Sequence, residues 1–126
     1  MGNLNPRKRR IVVTGVGMIT PVGLTSALSW NNLILGRSGI DHIKSFDPEG
    51  LETNIAGEVK QFDPAGPLGE KKARRMDRFS QLAAVATIEA VEHAKVTIDS
   101  SNENQVGVLV ASGIGGILTL SSQINV

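Results

Sequence analysis

Cysteine is absent from all 126 residues, which excludes disulfides, cysteine-ligated zinc and any thiolate nucleophile within this chain. Tyrosine is absent as well, and three Phe and one Trp are the only aromatic side chains. The interior must therefore be built from aliphatic residues and alanine, the composition of α/β enzymes. Neither sign of charge prevails: 13 Lys and Arg stand against 12 Asp and Glu, a formal net charge of +1. That balance excludes a nucleic-acid-binding tail and an acidic disordered chain, so any electrostatic signal has to be local. No apolar stretch approaches the ~18 residues of a membrane span, so no membrane insertion is expected. The basic start Arg7-Lys8-Arg9-Arg10 leads into Ile11-Val12-Val13 and then Thr14 and Gly15, too short an apolar run for a signal peptide. The expectation is a cytoplasmic chain with a disordered basic arm over residues 1–8.

What is present has α/β order. Ile11-Val12-Val13-Thr14 is a short β-branched run of the kind buried on both faces of a parallel sheet, and it ends in Gly15-Val16-Gly17. Thr25 or Ser26 can cap a helix through Leu35, with Gly36 suited to a left-handed stop. Residues 37–69 are rich in Gly, Asp, Asn and Pro and read as a loop-rich excursion with one extended piece over 54–59. From Glu70 to Ala94 the pattern is helical, with Met76, Phe79, Ala83, Ala86, Ala90 and Ala94 on one face. Alanines on such a face imply close packing against a neighbour. After the polar loop 99–104, Val106-Gly107-Val108-Leu109-Val110-Ala111 reads as a second buried strand, joined to the first by a parallel crossover. Residues 117–126 are apolar and carry no stop signal, so the chain is expected to end inside structure.

The glycine motifs admit more than one reading. Gly15-Val16-Gly17 resembles a dinucleotide turn, but Thr20 stands where the third glycine belongs and Pro21 follows it. The plainer reading is a backbone that needs positive φ or close contact at Gly15 and Gly17. Ser112-Gly113-Ile114-Gly115-Gly116 lacks the Lys-Ser/Thr pair of a phosphate loop. It implies close backbone approach, to neighbouring chain or to a ligand, because ligands gather at the C-terminal edge of parallel strands. Lys71, Arg74, Arg75 and Arg78 fall at i, i+3, i+4 and i+7 and share one stripe of the expected helix. That stripe is either a solvated face or a receiver for an anionic partner. His42 and His93 have no second ligand at metal spacing and read as surface residues, so no metal site is expected.

Taken together, the blocks from Arg9 to Gly23, Gly36-Arg37-Ser38-Gly39-Ile40, Phe46-Asp47, Ala56-Gly57-Glu58-Val59, Arg75-Met76-Asp77-Arg78-Phe79 and Ser112 to Gly116 resemble, in order and spacing, the type II β-ketoacyl-[acyl-carrier-protein] synthases. The resemblance runs from residue 9 to about residue 120 and implies a thiolase-like αβαβα fold, of which 9–126 would be an incomplete first half ending before the catalytic cysteine. It implies fatty-acid elongation by decarboxylative condensation of an acyl-enzyme with malonyl-[acyl-carrier protein], in a homodimer without cofactor. No catalytic residue of that chemistry matches a position here, so the chain alone would be inactive. Ile114 matches the family's acyl-pocket residue, and Lys71, Arg74 and Arg75 match its carrier-protein-binding cluster. Arg78 joins that cluster only through helical spacing. A non-catalytic fragment that keeps carrier-protein or dimer contacts is the alternative.

Overall fold

Thr25 begins the first helix as its side chain requires: extended at φ −145° and ψ 162°, it accepts the Leu28 N–H at 3.2 Å and caps α1 (Ser26–Ile34). Gly36, at φ +66°, closes it in the left-handed conformation anticipated from the sequence. In this computed structural model, which describes residues 10–124, the order continues with β1 (Ile40–His42), β2 (Ile55–Gly57), α2 (Ala65–Leu68), α3 (Glu70–Ala73), α4 (Arg78–Ala94), a 3₁₀ turn (Glu103–Gln105) and α5 (Ile117–Ile124). The expected disordered arm at 1–8 lies outside the described residues.

The helix expected over 70–94 is two helices. α3 makes one turn and tightens through i to i+3 bonds from Arg75 N to Lys72 O and from Met76 N to Ala73 O. Asp77 then turns extended, at ψ 155°, and α4 starts afresh. Carbonyls at the break gain a side-chain donor: Gln81 Nε2 reaches Ala73 O at 2.9 Å, alongside the Met76 N–H, and Met76 O at 3.1 Å. A side-chain amide thus satisfies the end of one helix from the first turn of the next.

The two expected buried strands are also corrected. Residues 11–14 and 106–111 take no strand pairing among the described residues. The sheet that does form there is the small antiparallel pair β1 and β2, with Ile40 opposite Gly57 and His42 opposite Ile55. The physical reason is plain in their exposure: Val13 is 82% and Leu109 97% accessible, and a strand apolar on both faces needs a sheet neighbour and a covering layer to be held. The β1 and β2 pair instead closes with polar contacts. Glu58 accepts the N–H groups of Lys44 and Ser45 at 2.9 and 3.0 Å, and Lys60 Nζ lies 2.6 Å from Asp41 Oδ2. Hydrogen bonding to Lys60 leads the causes that hold the Asp41 carboxyl down at about 2.

The 11–19 segment is nevertheless seated closely on α4. A Cβ at Gly15 would fall 2.2 Å from Ala90 O, and one at Gly17 would fall 1.9 Å from Ala86 O. Neither glycine has positive φ, so of the two reasons the sequence allowed, close contact is the operative one. Two polar clasps flank the contact. Glu89 accepts the Met18 N–H at 2.8 Å, the Ser26 N–H at 2.7 Å and the Ser26 hydroxyl at 2.8 Å, so its carboxylate sits at the positive end of α1. His93, exposed as expected, accepts the Val16 N–H through Nδ1 at 3.1 Å. The turn over Thr20 to Gly23 is locked beneath α1 by Ser29, which is fully buried, donates to Gly23 O at 3.1 Å and lies 2.8 Å from Thr20 Oγ1.

Around these contacts the surface stays open. Ala73 and Ser29 are the buried residues among those described, and the chain exposes 10801 Å², where a compact chain of its mass exposes about 6,500 Å². Most of its apolar side chains face outward, including Trp30, Val108, Ile114 and Leu118.

Two variants test the seat on α4. Gly17→Ala is expected to lower stability by about 3 kcal/mol, the upper range for overpacking against backbone. Gly66→Ala, where a Cβ meets nothing within 4 Å, is expected to stay within about 0.5 kcal/mol; urea unfolding midpoints measure both. Burial pushes the Glu89 carboxyl up, but the hydrogen bonds it accepts from the Met18 and Ser26 N–H groups and the Ser26 hydroxyl outweigh it and hold it below its ordinary 4.5. A carboxyl depressed on folding stabilises fully above that value and ceases to do so as pH falls through its folded one. Glu89→Gln is therefore expected to unfold more easily than the native protein at neutral pH, with the gap closing below pH 4.5; a gap independent of pH would contradict the clasp.

Candidate functional site

The glycine loop Ser112 to Gly116 lies across the start of α4 and encloses an apolar cleft with it. Gly115 lies against the Phe79 ring, where a Cβ would come within 2.9 Å of Cζ, and a Cβ on Gly116, whose φ is +67°, would lie 2.9 Å from Asp77 Oδ2. A side chain at either position would push loop and helix apart. Gly113 has open space around it. The loop's glycines thus divide: two are required by neighbouring chain, and the third leaves room.

Ile114 projects between them and is 69% exposed. With Phe79 and Leu82 of α4 and Ile117 and Leu118 of α5 it lines a cleft of about 240 Å³. The cleft's polar groups are already engaged. Thr119 donates to the Asp77 carboxylate, while Arg78 donates to Phe62 O at 3.3 Å and Val59 O at 3.2 Å and stacks 4.7 Å over the Phe62 ring. What remains for a ligand is a wall of hydrocarbon, able to bind an apolar chain and unable by itself to perform chemistry. A second apolar depression of about 380 Å³ lies on the other side of Phe79, between Ala83, Thr87 and Ile88 of α4 and the extended Val108 and Val110.

The basic cluster is split by the helix break. Lys71 belongs to α3, Arg74 and Arg75 to the tight turn after it, and all three are exposed. Arg74 pairs with Glu70 at 3.3 Å, with both side chains about four fifths accessible, an arrangement that contributes little to stability and leaves the guanidinium available. Arg78, expected on the same stripe, is turned away to hold the 59–62 loop. Its lost membership follows from the restart at Asp77, which breaks the helical phase between Arg75 and Arg78.

Sequence reasoning passed over Asp77, Gln81 and Glu89. Asp77 carried a readable signal, an N-cap residue inside an apparently continuous helix. Glu89 and Gln81 act across 63 and 8 residues, and residue type alone gave no sign of either. Among the described residues no three His, Asp or Glu side chains gather as metal ligands, and no helix is long and apolar enough to cross a membrane.

Residues 8–125 match the family model described as the β-ketoacyl synthase N-terminal domain. The chain is 44% identical over 119 residues to a 3-oxoacyl-[acyl-carrier-protein] synthase 2 of Synechocystis sp., covering 94% of this chain and 29% of that protein. It is 41% identical over 113 residues to a protein of the same name from Staphylococcus aureus, covering 90% of this chain and 27% of the relative. The chain therefore spans less than a third of the length of these relatives. The structure of the ishigamide ketosynthase/chain length factor superposes with a TM-score of 0.61 at 36% identity, over 79% of this chain and 23% of that one. The small sheet, the helices and the extended runs are thus part of a thiolase-like ketosynthase fold.

Proposed function

The chain belongs to the β-ketoacyl synthase family, and from that premise we propose that it forms the N-terminal part of a fatty-acid condensing enzyme. In that reaction malonyl-[acyl-carrier protein] loses its carboxylate as CO₂, and the resulting enolate carbon attacks an acyl thioester on the enzyme. The new carbon–carbon bond forms as the enzyme thiolate leaves, giving a β-ketoacyl chain two carbons longer. The observation that carries this reading is Ile114, held by the glycine loop in an apolar cleft with Phe79 and Leu82.

The segment's share of the work is binding. Since it has no cysteine, the thiolate comes from elsewhere in the complete polypeptide, and the cleft supplies wall for the hydrocarbon tail. Burying a methylene there contributes ~0.8 kcal/mol, so a few methylenes in contact bias which chain lengths are accepted. Lys71, Arg74 and Arg75 face solvent on α3 and the turn that leads into α4 and supply positive charge where an acidic carrier protein can dock. Such charges act mainly by steering encounter and setting orientation. The outward-facing runs 11–14 and 106–110 become strands against the remaining sheet of the enzyme, which acts as a homodimer in the cytoplasm without a cofactor.

Replacing Lys71, Arg74 and Arg75 together by Glu in the complete enzyme is expected to weaken acyl-carrier-protein binding at least tenfold at low ionic strength and to flatten its dependence on salt. Titration calorimetry at several salt concentrations measures both; affinity equal to the native enzyme's at low salt would overturn the docking role.

A further inference from the structure

Asp77 and Thr119 join the two walls of the cleft. Asp77 stands at the N-cap of α4, where an aspartate ordinarily gains ~1 kcal/mol by accepting an N–H from the helix's first turn. Here it makes no such bond. Its Oδ1 accepts the hydroxyl of Thr119, 42 residues along the chain in the first turn of α5, and its Oδ2 lies over the space a Gly116 side chain would fill. A carboxylate diverted from its own helix to another element fixes the distance between them. Phe79 and Leu82 belong to the wall that Asp77 heads, and Ile114, Ile117 and Leu118 to the wall that Thr119 anchors. The glycines beside that hydrogen bond, Gly115 against the Phe79 ring and Gly116 near Asp77 Oδ2, resist approach of the walls but not their separation.

We propose that the Asp77 and Thr119 hydrogen bond sets the width of this cleft and thereby the acyl-chain lengths the enzyme accepts, an inference that rests on the reading of the cleft as an acyl site. Both residues are positioning residues: neither touches the reacting atoms, and each acts through the placement of Ile114 and Ile117. With the hydroxyl present the first turn of α5 is held against the start of α4. Without it α5 swings outward, the cleft widens, and discrimination against longer chains weakens.

The test uses the complete enzyme with a ladder of acyl-carrier-protein substrates from short to long. Thr119→Val keeps the shape and removes the donor, and Thr119→Ser keeps the donor. Thr119→Val is expected to raise the ratio of kcat/KM for long over short acyl chains about tenfold, the scale that one methylene commands in an apolar pocket. The change should fall on KM for the acyl substrate and leave KM for malonyl-[acyl-carrier protein] as it was, while Thr119→Ser retains the native profile. Thr119→Ala repeats the measurement without a branched methyl if the valine variant does not fold. Ile114→Phe serves as the reference for the cleft itself. If Ile114→Phe alters the length profile and both donor-less variants do not, the tether is overturned and the acyl site stands. A serine variant that shifts as far as the valine variant also overturns the tether. If none of the variants moves the profile, the acyl reading of the cleft falls with it.

Discussion

The contact on which the described structure depends is the seat of residues 15–17 on α4, where two missing side chains let one backbone lie on another. Ala86, Ala90 and Ala94 offer a smooth face, and Gly15 and Gly17 approach so closely that a methyl on either would collide with a helix carbonyl. Among the described residues, the segment before α1 is placed against α4 through that seat. Glu89 and His93 fasten it with bonds to backbone N–H groups, and the carboxylate of Glu89 at the start of α1 ties the first helix to the fourth. The locked turn at Thr20 to Gly23 passes the constraint onward, since Pro21 packs against Gly39 and Gly57 at the hairpin.

From this frame the molecule presents two kinds of surface. One is apolar and extended: the runs 11–14 and 106–110, and the depression between α4 and the second run. Aliphatic side chains as exposed as Leu109 are costly in water, at ~25 cal/mol for each Å² that stays uncovered, and they fit the sheet of a larger ketosynthase. The other surface is the cleft, where the glycine loop and Ile114 meet the start of α4, with the basic stretch Lys71 to Arg75 preceding that start in the chain. Because the chain turns sharply at Met76 and Asp77, Lys71, Arg74 and Arg75 ride on α3 and the turn after it, Arg78 on α4, and Asp77 is freed to face α5.

Local features were legible in the sequence, and partnerships across the chain were not. The cap at Thr25, the left-handed stop at Gly36 and the end of α4 at Ala94 follow from residue types within a turn of one another. The alanine face of α4 announced close packing, and the structure identifies its partner as Gly15 and Gly17. The strands at 11–14 and 106–111 were read from β-branched runs, but strand formation is a property of pairs, and no partner stands beside either run among the described residues. The continuous helix over 70–94 failed because apolar periodicity spans the break without interruption, while the bonds that make it tolerable come from Gln81. Of the candidate site residues, Ile114 lies in a glycine block and Lys71, Arg74 and Arg75 share a helical stripe, and all four rest on resemblance to a family for their roles, whereas Arg78 joins them by helical spacing alone and holds the 59–62 loop.

On the proposed reading, the exposed runs 11–14 and 106–110 pair with sheet supplied by the rest of a longer polypeptide. Amide hydrogen exchange at residues 11–14 and 106–110, measured in the 126-residue chain and in the complete enzyme, tests it most directly. Rapid exchange at these amides in the isolated chain and strong protection in the complete enzyme are expected, as central strands of a buried sheet require. Equally rapid exchange in both would contradict it.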